Sequence, residues 1–232
     1  MNTRLILIRH AQAEGNVTRR FHGWTDSGIT DIGHKQAERT AERLRDVPID
    51  FLYSSSMKRA VQTAEYIAKV KKLPIIQTDK LKEINGGDWE GNLFEELPKK
   101  WPKEHSTWEY KPHLHKMPNG ESMVEFQERV VKEIQYIVKK HPGKNICVVT
   151  HGTVIKVLLC YFHKCDLEEM VNIEWYDNTS ITILDYDGQK YTPVIEGDAS
   201  HLGKELSTLE NQGWWQEYIR KFHERQSKRE ES

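Results

Sequence analysis

The chain has 232 residues, and its 34 Lys plus Arg against 35 Asp plus Glu leave a formal net charge of −1 with His neutral. That length supports a sizeable core in one α/β domain, while the near balance of charge gives no sign of a broad polyanion-binding surface, so no nucleic-acid partner is expected. The apolar run before Arg9 spans only Leu5 to Ile8, too short for a secretion signal or membrane anchor, so a cytoplasmic protein with no membrane partner is expected.

Taken along the chain, Leu5–Ile8 reads as a buried strand because four aliphatic residues follow one another without alternation. Ile32, Ala37, Ala41 and Leu44 then fall on one helical face. A second strand is expected at Ile49–Tyr53, a second helix with Met57, Ala60, Val61, Ala64, Ile67 and Ala68 inward, and a third strand at Leu73–Ile76. Residues 92–118 break this rhythm with prolines, lysines and Trp101, Trp108 and Tyr110, which suits a lid better than a plain connector.

Ser122 and Glu125 form a capping box ahead of a helix whose apolar face is Met123, Phe126, Val130, Ile134 and Ile137, and Pro142 with Gly143 stops it. A fourth strand follows at Ile146–Val149, then another helix, and Asp166 with Glu169 repeats a helix-start signal. Residues 178–197 read as a hairpin turning at Asp187-Gly188. Trp214, Tyr218, Ile219 and Phe222 have the spacing of a docked C-terminal helix, with a charged tail expected to fray from His223. Cys147, Cys160 and Cys165 lack CxxC spacing and read as reduced thiols, not a disulfide framework or zinc knuckle.

The alternation of strands and helices predicts a doubly wound, mostly parallel sheet flanked by helices, with an inserted lid at about 92–118. Residues 1–210 would form a single domain and 211–232 the C-terminal helix and tail. Such sheets carry their sites at the carboxyl ends of the strands. Arg9 and His10 follow the first strand, Arg59 opens the helix after the second, His151 follows the fourth, and Glu83 lies in the loop LKEINGGDWEG beside the competing carboxylates Asp88 and Glu90. Two arginines and two histidines in one crevice call for an anion, and phosphate matches forked guanidinium donors.

Six ordered blocks resemble the histidine phosphatase superfamily, the phosphoglycerate mutase-like group. They are LIRHAQAEGN, FHGWTDSGITDIGHKQA, YSSSMKRAVQTAE, LKEINGGDWEG, PNGESMVEFQERV and VVTHGTVIKVLL. The resemblance implies that His10 is a nucleophile forming a phosphohistidine, that Arg9, Arg59, His151 and Asn16 hold the phosphoryl oxygens, that His22 joins the phosphate-binding set, and that Glu83 carries the proton. It implies no cofactor and no metal.

Departures from the family pattern are Ala11 for Gly, Gln12 and Ala13 for Glu and Ser or Thr, and His22 for Gln or Cys; they bear on substrate preference and rate. EINGGDWEG is similar to the broad-specificity and alpha-ribazole phosphatase type, whereas the mutases carry a Tyr-Gly-x-x-Gln-Gly block. The expected activity is therefore metal-independent hydrolysis of a small phosphorylated metabolite by a monomer or homodimer. The alternatives are a cofactor-dependent phosphoglycerate mutase, a non-catalytic phospho-ligand binder, and a metal hydrolase using His105, His113 and His115. Lys99, Lys100, Lys103, Lys111, Arg19 and Arg20 form either a solvated rim or a substrate-reading one.

Overall fold

A computed structural model describes residues 2–230, with side chains left out at 225, 226 and 228–230. In chain order the elements are β1 (Thr3–Arg9), α1 (Glu14–Thr18), α2 (Asp31–Arg43), β2 (Phe51–Ser55), α3 (Lys58–Lys71), β3 (Ile75–Thr78), α4 (Leu97–Lys100), α5 (Pro102–Tyr110), α6 (Met123–Lys140), β4 (Asn145–Thr150), α7 (Gly152–Phe162), β5 (Ile181–Tyr186), β6 (Tyr191–Asp198), α8 (Gly203–Leu206) and α9 (Trp215–Glu230). The six strands form one sheet in the order β3-β2-β4-β1-β5-β6. β3, β2, β4 and β1 run parallel, and β5 pairs antiparallel to both β1 and β6. This is the doubly wound, mostly parallel sheet expected from the sequence.

The unbroken aliphatic run of β1 follows from burial on both faces. Leu5 and Leu7 join the apolar layer beneath α6 and α7, with Phe126, Ile134, Val148 and Leu158. Ile6 and Ile8 join the opposite layer, with Ala41 of α2 and Ala60, Ala64 and Ile67 of α3. The capping box of α6 forms as expected, Ser122 Oγ accepting from Glu125 N and Glu125 Oε2 from Ser122 N. Its five predicted inward residues are all fully buried.

Several local expectations shift. Ile32 is 42% exposed, because the inward stripe of α2 is built from Gly33, Gln36, Ala37, Thr40 and Ala41, small and polar residues that apolar periodicity does not register. The second and third strands begin two residues later than expected and extend through Ser55 and Thr78, since polar residues continue the ladder. The start signal at Asp166 yields only a 3₁₀ turn, Leu167–Asn172. At the C-terminus, α9 seats Trp215 and Phe222 and continues helical to Glu230 instead of fraying at His223.

Residues 92–118 fold as α4, α5 and flanking turns around a ring cluster. Trp89, fully buried, meets Phe21 edge-on at 5.5 Å, Trp108 at 5.9 Å and His115 at 5.3 Å between centroids. Leu97 and Met117 are buried beneath it, while Tyr110 and Leu114 are exposed. Cys147, Cys160 and Cys165 are free thiols, and burial pushes the first two up to about 12. Among the described residues no helix is long and apolar enough to cross a membrane.

Candidate functional site

The register of the parallel β1–β4 pair sets Arg9 opposite Thr150, so the next residues on the two chains, His10 and His151, emerge side by side. The ladder continues one step further, His10 N donating to Thr150 O at 2.8 Å, and the two imidazole centroids lie 5.2 Å apart. His10 is 5% exposed and His151 fully buried. Residues 141 positions apart in sequence thus meet because one strand register requires it.

His10 Nδ1 lies 2.7 Å from Ala11 O. A carbonyl only accepts, so the ring proton sits on Nδ1 and Nε2 keeps its lone pair. Burial, followed by the nearby charges of Arg59 and Arg9, holds the His10 imidazole well below the ordinary histidine range, and burial with Arg59 does the same to His151. Both rings are therefore neutral at physiological pH. His151 Nε2 pairs with Ser55 Oγ at 2.8 Å.

Arg59 opens α3 and is fully buried. Its guanidinium donates to the carbonyls of Thr25 (3.0 Å), His22 (3.1 Å) and Gly23 (2.7 Å), so it ties the 22–25 loop to the site, and burial lowers it to about 10. Arg9 donates one Nη1–H to Tyr176 O at 2.6 Å. Gly152 permits that placement, since a Cβ there would lie 2.9 Å from the Trp175 ring and 3.3 Å from Arg9 Nε. Arg9 Nε, Arg59 Nε and His151 Nδ1 are buried and find no hydrogen-bond partner among the described residues. Groups of this kind, desolvated around a neutral imidazole, lower their free energy by meeting an oxyanion.

Glu83 is 9% exposed and accepts from Ile84 N (2.8 Å) through Oε1 and from Thr153 N (3.0 Å), in the first turn of α7, through Oε2. Burial raises its carboxyl above the ordinary carboxylate range in spite of these donors. The competing carboxylates are committed elsewhere. Glu90 accepts from Trp24 N, Thr25 N and Oγ1, and Gly86 N, and Asp88 accepts from Asn119 Nδ2.

Asn16 Oδ1 accepts from Ala13 N at 2.9 Å, which turns the amide NH2 into the group it can offer a ligand. The His22 ring packs over Gly15, where a Cβ would come within 2.4 Å, and burial and Arg59 lower His22 to about 4. Its Nε2 pairs with Ser27 Oγ, at 2.9 Å. Ala11 does not adopt a positive φ, so the alanine meets no backbone penalty, and its N–H donates to Thr63 Oγ1 at 2.9 Å. Gln12 is buried in a polar network with Gln36, Thr30 and Thr208. Of the insert histidines, His115 Nδ1 faces Glu104 O and Thr107 Oγ1, and His105 lies 3.8 Å from Glu109. Among the described residues, no group of three His, Cys, Asp or Glu side chains is arranged to hold a metal. Lys99, Lys100, Lys103, Lys111, Arg19 and Arg20 are exposed, and Lys100 pairs with Glu96.

Sequence reasoning missed the residues that hold this site in place. The turn Asp177–Ser180 clamps the end of β1: Asn178 Nδ2 donates to His10 O, Thr179 N to Arg9 O, and Arg9 N to Ser180 O. Thr179 holds φ at 56°, a conformation β-branched residues rarely accept, so the clamp is maintained against local strain. Ser55 and Arg129 were missed too; a single polar residue at a strand end or on a helix surface carries no pattern.

The chain is similar to "Phosphoserine phosphatase 1" of Hydrogenobacter thermophilus, 31% identical over 201 residues that cover 87% of this chain and 95% of that protein. The solved structure of Bacillus stearothermophilus YhfR superposes with a TM-score of 0.82 at 36% identity, covering 86% of this chain and 98% of the other. An alpha-ribazole phosphatase from Shigella flexneri superposes with a TM-score of 0.76 at 27% identity, covering 84% of this chain and 96% of the other. With residues 5–198 matching the family as a whole, the chain belongs to the histidine phosphatase superfamily (branch 1).

Proposed function

We propose that the protein is a metal-independent phosphomonoester hydrolase in which His10 is the nucleophile. His10 Nε2 attacks phosphorus in line while the P–O ester bond breaks, and the departing alkoxide takes a proton from Glu83. Water then attacks the phosphohistidine, gives its proton to the Glu83 carboxylate, and releases inorganic phosphate with neutral His10 restored. The transferring PO3 group carries charge on its equatorial oxygens, so catalysis rests on positioned donors. Arg9, Arg59 and Asn16 supply them, and His151 adds an Nδ1–H once the Ser55 hydroxyl donates to its Nε2. The substrate is a small phosphorylated metabolite, with the 92–118 insert as its lid.

The observation that carries this reading is the set of buried donors that find no partner among the described residues, Arg9 Nε, Arg59 Nε and His151 Nδ1, around an imidazole whose Nδ1 bond to Ala11 O leaves the lone pair on Nε2. An alkaline quench during turnover of a radiolabelled phosphomonoester should trap acid-labile label on His10, and none in His10→Ala. Label on another residue, or turnover that excess chelator abolishes and zinc restores, overturns it. The same assay with 3-phosphoglycerate, with and without its bisphosphate, separates hydrolysis from isomerisation.

A further inference from the structure

We propose that Arg129, coupled to Glu121, is the positioning residue that sets where the Glu83 carboxyl stands relative to the departing oxygen; this rests on the reading of Glu83 as proton carrier. The segment that carries Glu83 follows a single 3₁₀ turn, Asp79–Leu81, and contributes no strand to the sheet. Beyond the backbone bond from Glu121 N to Asn85 O (3.1 Å) and the grip of Thr153 N on the carboxylate itself, its placement comes from side chains. Arg129 on α6 supplies most of it, with Nη1 donating to Lys80 O (2.9 Å) and Lys82 O (3.1 Å) and Nη2 to Glu83 O (3.2 Å).

The remaining donors of the same guanidinium engage Glu121 as a fork, Nε to Oε1 and Nη2 to Oε2, both at 2.8 Å. Glu121 Oε2 also accepts from Asn85 N at 2.8 Å. One guanidinium thus grips the backbone just before Glu83 and, through its carboxylate partner, the backbone just after it. Arginine is suited to this because its donors lie in a rigid plane, and a lysine ammonium at the same place could not hold carbonyls and a carboxylate in one fixed geometry. Side chains on both sides complete the cradle, Trp24 Nε1 donating to Glu83 O at 2.8 Å and Thr150 Oγ1 to Leu81 O at 2.9 Å. Thr150 immediately precedes His151, so the proton carrier is referenced to the same strand end as the phosphoryl site.

A group that positions the acid, as opposed to one that merely holds the fold, matters in proportion to how badly the leaving group needs a proton. The test is kcat/KM over aryl phosphates from 2,4-dinitrophenyl to phenyl phosphate for the wild type, Glu83→Gln, Arg129→Lys and Glu121→Gln. Glu83→Gln should lose roughly 10²-fold on phenyl phosphate and little on the dinitrophenyl ester. Arg129→Lys should repeat that steepening at roughly tenfold on phenyl phosphate, and Glu121→Gln at a smaller amplitude, each with unaltered phosphate inhibition. A uniform loss across the series, or none, in Arg129→Lys overturns the positioning role while a steep Glu83→Gln profile leaves the proton carrier standing. A flat profile in Glu83→Gln removes both. Should Arg129→Lys fail to fold, Glu121→Gln alone decides, by the same change in slope.

Discussion

The floor of the site and the 92–118 insert are built on opposite principles. On the floor, His10, His151 and Arg59 are at most 5% exposed, and their positions follow from strand register and from hydrogen bonds to backbone. Between single backbone bridges at its two ends, Arg20 with Leu93 and Lys116 with Ser122, the insert is held by rings and apolar contacts around Trp89, with exposed Tyr110 and Leu114 on its outer side. A directional floor suits chemistry in which a fraction of an ångström matters, whereas side-chain packing without a ladder tolerates replacement and suits substrate choice.

The largest expected effect is on the floor. Arg59→Ala should lower kcat/KM roughly 10²- to 10³-fold for every phosphomonoester tested, because it removes a buried cation from the proposed phosphoryl site and frees the 22–25 loop. Steady-state kinetics on an aryl and an alkyl phosphate checks it. A loss confined to one substrate would break the contrast, since it would make Arg59 a reader of the leaving group. On the insert the pattern should invert. Trp108→Ala, at a half-buried ring touching Phe21, Trp89 and His115, should change the ratio of kcat/KM between a bulky and a small phosphomonoester by roughly tenfold. Phosphohistidine formation with an activated aryl phosphate should persist; its loss would place the insert in the chemistry.

The same contrast governs what could be read from the sequence. The floor was legible because β1 and β4 are buried on both faces, leaving unmistakable aliphatic runs, and because the residues after them lie at strand ends where a parallel sheet places its sites. Arg59 and Glu83 were reached through the family blocks, which favoured Glu83 over Glu90, and in the structure Glu90 accepts donors from the 24–25 and 86 backbones. Register was not readable, although it is what sets His10 against His151. Neither was the clamp at Asp177–Ser180, because its hydrogen bonds join segments distant in sequence and its strain is a property of backbone angles. The inward stripe of α2 escaped for a related reason: Gln36 and Thr40 are fully buried polar residues whose partners lie elsewhere in the chain.

The smallest and most selective effect concerns protons. On the floor, His10 is held neutral by burial and by the charges of Arg59 and Arg9, whereas His115 in the insert is lowered to about 4 chiefly by burial. The unfolded chain binds a proton on each ring at about pH 6.5 and the folded chain does not, so stability falls as pH drops below that value, down to about 4 for His115. The two rings should part company when an oxyanion is added. Inorganic phosphate offsets the guanidinium charges around His10 and should raise its pKa in an NMR titration, while the His115 resonances stay in place. A joint shift of both rings, or a free-enzyme His10 titrating at the ordinary histidine value, would show that the floor is not the cation-lined cavity on which the contrast depends.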